Sequence, residues 1–173
     1  MRWTESLDDH GSPIISHIIS ITNLADSKTT EFVLPQSSFS YIFTGLTSGV
    51  HYTMKIKSKN LVGESDWSLP MFAYAGVEPT RPDIITFVSS TRNTLQLTWP
   101  ALLGEDTGGT NTNPISITNY DLYMDNGYNG DFKVIYSGPT PSYFVQYLTP
   151  GLMYRFRLRA HNSIGLQSEL STI

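Results

Sequence analysis

From residue 52 to residue 59 the chain alternates strictly. Tyr52, Met54, Ile56 and Ser58 fall on one side of an extended run; Thr53, Lys55, Lys57 and Lys59 fall on the other. Successive side chains of a strand point to opposite faces, so the run predicts a strand with one core face and one wet face. The pattern returns further on, where Tyr154, Phe156, Leu158 and Ala160 oppose Arg155, Arg157, Arg159 and His161. Leu46 and Leu148, Gly49 and Gly151, Tyr52 and Tyr154, Asn60 and Asn162, and Gly63 and Gly165 are all 102 positions apart. Each copy reads as a Gly turn, an alternating strand and a polar Asn/Gly turn. A fixed internal period means two repeats, so the chain is expected to form two small domains.

The remaining elements follow in order. Met1-Arg2-Trp3-Thr4 reads as the end of a strand, and Asp8 to Pro13 as a polar loop. Strands are expected at Ile14–Thr22, Glu31–Leu34, Ser38–Phe43 and, after the alternating strand, Ser68–Ala75. Pro79 and Pro82 limit backbone freedom in the segment 77–82, which reads as a short, semi-rigid linker between a first module 1–76 and a second module 83–173. The second module predicts strands at Ile84–Val88, Thr94–Trp99, Tyr120–Met124, Phe132–Tyr136 and Tyr143–Tyr147, with a Gly-, Thr- and Asn-rich loop from Pro100 to Asn113. Two Asn-Gly pairs within Asp125–Asp131 supply positive-φ residues for a turn. Only eight residues follow Gly165, so the last strand is expected to be clipped.

The run Leu-x-x-Gly-x-x-Tyr, followed by alternation and Asn-x-x-Gly, resembles the fibronectin type III family from its E–F corner to its F–G loop. Trp3 and Trp99 on strand B, Pro13-Ile14 and Pro114-Ile115 opening strand C, and Glu64-Ser-Asp-Trp67-Ser68 ahead of strand G fit the same resemblance. It implies an all-β chain of two tandem immunoglobulin-like sandwich modules. The first would lack strand A and most of strand B, leaving an edge and a core face exposed. It also implies tyrosine corners, in which the hydroxyls of Tyr52 and Tyr154 bond backbone a few residues upstream. The hairpin at Leu122–Asp131 resembles one recurrent in large fibronectin type III arrays of ciliated protists, which points to a cilium or the cell surface.

Composition narrows the chemistry. A net charge of -4 argues against a general nucleic-acid or membrane-surface binder, and no apolar run is long enough for a membrane span. Without cysteine there are no disulfides, thiolate metal sites or Cys nucleophiles, and no Asn-x-Ser/Thr acceptor occurs. Asp8-Asp9-His10 has no counterpart in the second repeat and reads as a solvated loop. Asp125–Asp131 fails the EF-hand template, because Gly127 stands where a ligand is needed, and reads as a turn. Ser65-Asp66-Trp67-Ser68 resembles half of the cytokine-receptor Trp-Ser-x-Trp-Ser element, with Lys55, Lys57 and Lys59 as cations for Trp67 and Glu169 in its place in the second repeat. No catalytic set, cofactor site or metal site is expected.

One surface feature stands out in this acidic chain. Arg155, Arg157 and Arg159 are expected in a row about 6.6–6.8 Å apart, and Lys55, Lys57 and Lys59 repeat the charge. The row reads either as cross-strand pairing with Asp121 and Asp125 or as a docking face for an acidic protein surface. The expected role is a non-catalytic spacer and docking pair within a larger multidomain protein, flanked by further domains. A spacer region of a secreted enzyme and a receptor ectodomain are the alternatives.

Overall fold

The computed structural model describes every residue except Leu7, His10 and Asp83. Contacts divide the chain into unit 1, Met1–Ala75, and unit 2, Gly76–Ile173. The Asp8-Asp9-His10 reading falls partly on His10 and so lies outside the described residues there.

Unit 1 is built on one antiparallel sheet in the order β2-β1-β3-β4. Its strands are β1 Ser16–Asn23, β2 Thr29–Pro35, β3 His51–Lys59 and β4 Met71–Tyr74. Three isoleucines and the alternation of β3 suit a pleated, half-buried surface. The register pairs Ile19 with Ile56 and Ile21 with Met54 on the core face, and Ile18 with Lys57 and Ser20 with Lys55 on the outer face. Ile21, Val50, Tyr52 and Met54 form the buried cluster, with Met1, Phe32, Phe43 and Ala75 packed on it.

The layer facing this sheet is slight. The strand expected at Ser38–Phe43 is reduced to a bridge between Arg2 and Ser40, flanked by Trp3 N–H to Phe39 O (3.1 Å) and Tyr41 N–H to Met1 O (3.0 Å). Among the described residues only Met1–Trp3 pairs with this segment, so no longer ladder forms. Aromatic contacts hold it instead: Tyr41 lies 5.0 Å from both Phe32 and Phe43.

Unit 2 pairs two three-stranded sheets, β5-β6-β9 and β10-β7-β8. Their strands are β5 Thr86–Ser90, β6 Leu95–Thr98, β7 Ile117–Met124, β8 Lys133–Gly138, β9 Ser142–Val145 and β10 Phe156–Asn162. Leu97, Trp99, Tyr120, Leu122, Val145, Leu158 and Ala160 are buried as one core. Both units place an aromatic tryptophan contact at the same point: Trp3 meets His17 edge-on at 5.7 Å, and Trp99 meets Tyr120 at 5.8 Å. Tyr120 also accepts a 2.9 Å bond from Leu102 N–H, and burial pushes its phenol above the usual value.

Three segments carry detail that the sequence pattern does not give. The loop after Trp99 contains a short 3-10 helix, Gly104–Thr107, closed by Gly108 at φ 91°. The segment expected as a linker is fastened to that loop. Val77 N–H bonds Gly108 O at 3.0 Å, Thr80 N–H bonds Asp106 O at 2.8 Å, and Pro79 and Pro82 are buried. After β10 the described residues form a bridge at His161–Gln167 and no further strand. Ser168 and Ser171 continue the pairing there, one residue out of step with the first repeat.

Candidate functional site

The two cationic strands are β3 and β10, and the structure shows how each charge is held. Arg155 is committed to the fold. Its Nε donates to Asp125 Oδ2 at 2.7 Å, its backbone N–H to Asp125 Oδ1 at 3.0 Å, and its Nη2 to Gly130 O at 3.2 Å. Asp125 is 2% exposed and also accepts Gly127 N–H at 3.2 Å. The aspartate expected as a turn residue is therefore a brace between the turn and β10, where Gly127 (φ 78°) and Asn129 (φ 60°) provide the positive-φ positions. The backbone N–H of Arg155 is the main cause holding the Asp125 carboxyl below its ordinary range; the side chain of Arg155 and the Gly127 N–H add to it, against desolvation.

The lowered carboxyl makes stability depend on acidity. A group whose folded pKa is depressed contributes fully above its unfolded value, near 3.9 for aspartate, and loses the contribution as pH falls through the folded pKa. The urea midpoint of unit 2 is expected to drop as pH falls below about 4, and Asp125→Asn should flatten that part of the profile. A profile unchanged by Asp125→Asn would show that the brace carries no protonation linkage.

Arg157 and Arg159 are steadied with no ion-pair partner among the described residues. Arg157 Nε donates to Ser171 O at 2.8 Å, and Arg159 Nη1 to Gln167 Oε1 at 3.1 Å. Arg155 and Arg157 also stack on Phe132, at 5.2 and 5.8 Å from the ring centre, a cation–π arrangement. Asp121, expected opposite the arginines, instead meets His161 Nε2 at 2.7 Å, because the side chain of Arg159 turns to Gln167. Of the two pairings expected from sequence, Asp125 holds an arginine and Asp121 does not.

In unit 1 the lysines follow a similar plan. Lys57 lies 4.5 Å from the Trp67 ring centre and 2.7 Å from Glu64, and Lys59 lies 3.2 Å from Glu64. Hydrogen bonds from Lys57 and Lys59 keep the Glu64 carboxyl below its ordinary value. Lys55, opposite Ser20 on the outer face, has no ion-pair partner among the described residues.

A second recurring device went unread in the sequence. Ser65 and Ser68 each donate backbone N–H to β3, to Ser58 O and Ile56 O, and each hydroxyl accepts the N–H of the same strand residue. Ser168 and Ser171 repeat this on Ala160 and Leu158 of β10. The shared signal is Ser-Asp/Glu-x-Ser, displaced by 103 rather than 102 positions because one residue is added after Gly165. In this register Leu170, and not Glu169, stands where Trp67 stands. Phe132 takes over the tryptophan's stacking role from a different loop.

The tyrosine hydroxyls sit as the corner geometry requires. Tyr52 Oη accepts Thr47 N–H at 2.9 Å, and Tyr154 Oη accepts Thr149 N–H at 3.0 Å. The two bonds are unequal in burial, since the first is partly buried and the second exposed. Tyr52→Phe should therefore cost about 1–2 kcal/mol and Tyr154→Phe under about 1, because water reaches Thr149. Denaturant unfolding of both variants checks the order; equal losses would contradict it.

Among the described residues no group of three or more His, Asp or Glu side chains could hold a metal ion, and no helix is long and apolar enough to cross a membrane. Residues 1–74 match the fibronectin type III domain family. The first unit is a fibronectin type III domain. The second unit repeats its motif and its strand devices, so the chain is a tandem of two β-sandwich modules built on one plan. The chain is 26% identical over 170 residues to mouse fibronectin type III domain containing protein 3C1, and 29% identical over 165 residues to chicken fibronectin type-III domain-containing protein 3a. Each alignment covers 95% of this chain but 12% of the relative, so the chain spans about an eighth of their length. A two-domain fibronectin type III segment of chicken tenascin aligns over 98% of this chain and 86% of its own, at 19% identity and a TM-score of 0.44. Fibronectin type III domains are in general non-catalytic modules of protein–protein interaction.

Proposed function

We propose that this fibronectin type III tandem acts as a spacer and docking pair within a larger protein, engaging an acidic protein surface through its cationic strands. The observation that carries the reading is the recurrence of a steadied cationic row on the same strand of both repeats. Arg157 holds position through Nε and keeps both Nη groups for a partner's carboxylates, whereas Arg159, with Nη1 on Gln167 and Nε buried, keeps Nη2. Stacking on Phe132 restrains Arg157 beforehand, which reduces the rotamer entropy lost on binding. Arg155 belongs to the fold and drops out of the docking set, whereas Lys55 is the available cation on unit 1.

The test separates docking from sheet upkeep. Arg157→Gln with Arg159→Gln should weaken capture of an acidic probe, such as a polyglutamate peptide, and of partners from the native source. The melting temperature should change little. Binding should weaken with salt, since exposed charges are screened within about 8 Å at physiological ionic strength. Capture unchanged by the double substitution would assign the row to the sheet alone.

A further inference from the structure

The turn between β7 and β8 holds the chain's two Asn-Gly pairs, Asn126-Gly127 and Asn129-Gly130. An Asn ahead of a Gly is open to self-cyclisation, because the Gly has no Cβ to shield its backbone nitrogen or restrict its approach. That nitrogen attacks the side-chain carbonyl carbon of the Asn when the two meet in a near-attack arrangement. By sequence the two pairs are equal. Their surroundings make them unequal.

Asn126 is held at both reacting groups. Its Oδ1 accepts Tyr128 N–H at 3.0 Å and Gly130 N–H at 3.1 Å, which commits the side-chain amide to two later nitrogens. The nitrogen that would attack it, Gly127 N, donates at 3.2 Å to Asp125, a carboxylate that is 2% exposed and braced by Arg155. Asn129 is exposed, and its side-chain amide has no hydrogen-bond partner among the described residues. It stands at φ 60°, a conformation unfavourable to a residue with a Cβ, so opening of the turn relieves it. Its attacking nitrogen, Gly130 N, is held by one bond to a neutral, exposed amide, which is weaker than a bond to a carboxylate.

We infer that Asn129-Gly130 is a site of spontaneous covalent modification, at which Asn129 converts to aspartyl and isoaspartyl forms while Asn126 is spared. As Gly130 N–H gives its proton to solvent base, the nitrogen bonds Asn129 Cγ, the Cγ–Nδ2 bond breaks, and ammonia leaves behind a five-membered imide. Water then opens the ring. Breaking the new N–Cγ bond gives the aspartyl chain; breaking the original peptide bond gives the isoaspartyl chain, joined to Gly130 through the side chain. Water is the only co-reactant, and nothing is oxidised or reduced.

The isoaspartyl form adds one main-chain atom ahead of Gly130, where there is no slack. A Cβ on Gly130 would already lie 2.7–2.9 Å from the Asn126 amide, and Gly130 O accepts Arg155 Nη2 at 3.2 Å. The modification therefore withdraws that anchor of Arg155 and places a new negative charge in the turn that braces it. The site is independent of the docking reading and stands or falls without it.

The full chain is aged in mildly alkaline buffer, once folded and once in urea, and both sites are followed by fragment mass spectrometry. In the folded chain Asn129 should convert at least about tenfold faster than Asn126, because a bond to a carboxylate is roughly twice as strong as a neutral one. In urea, where both sets of bonds are lost, the two rates should converge. The variant Asn129→Asp carries the charge without the added atom, so isoaspartyl chains purified from the aged protein should unfold at lower urea than this variant. Equal conversion at the two sites of the folded chain, or conversion of Asn126 first, would overturn the site. An isoaspartyl chain as stable as Asn129→Asp would overturn its link to Arg155.

Discussion

Leu158→Ala should cost unit 2 about 2–5 kcal/mol, the range for truncating a buried leucine. Leu158 is fully buried in β10, opposite Leu122, and packs in the core with Trp99 and Tyr120. Its side chain leaves a cavity that two sheets cannot readily close, since both are fixed by backbone ladders. The adjacent Arg157 sits on the outer face of the same strand, so Arg157→Gln should cost far less, within about 1 kcal/mol as for exposed charges. Urea unfolding of the two variants measures the contrast. Similar losses at the two neighbouring positions would mean that the strand does not have a core face and a wet face.

Asn162→Ala is the second large effect. Asn162 is 2% exposed and makes three bonds at once: Nδ2 donates to Val77 O and Thr107 O, and Oδ1 accepts Leu166 N–H. Removing the amide leaves a buried carbonyl of the 3-10 helix unpartnered and frees the leading segment and the turn after β10. Each buried orphan costs about 1–3 kcal/mol, so the loss should exceed that for Tyr52→Phe. Amide exchange should also quicken at Val77 and Leu166 ahead of global unfolding. Asn60→Ala in unit 1 should cost less, because Asn60 is only partly buried and water can replace its bonds. If Asn162→Ala left exchange at Val77 unchanged, the amide would not be what fastens the segment.

Much of this was legible along the chain. The alternation of 52–59 and its return at 154–161 determine two strands with one apolar and one cationic face, because the period of a strand is two. The 102-residue spacing determines two repeats, and Asn60 and Asn162 stand out as members of that repeat. What their Nδ2 groups bind did not follow, since those acceptors lie 48 to 85 residues away in chain order. The serine clamps were hidden by an insertion of one residue, which shifts every later side chain out of a fixed comparison.

The charges divide in the same way. Sequence by itself determined that β3 and β10 present cations to water, since charge and alternation are local properties. Only tertiary structure decided which cations are occupied. Arg155 is taken by Asp125 and Gly130 across a turn, Arg157 and Arg159 are steadied by residues that follow β10, and Lys55 faces Ser20 with no ion-pair partner among the described residues. It also decided that the proline-bearing segment 77–82 lies fastened on unit 2, since bonds to Gly108 and Asp106 depend on a loop folded from distant residues. The reason is the same throughout: a side chain's face is set by its own backbone, but its partner is set by packing that brings distant segments together.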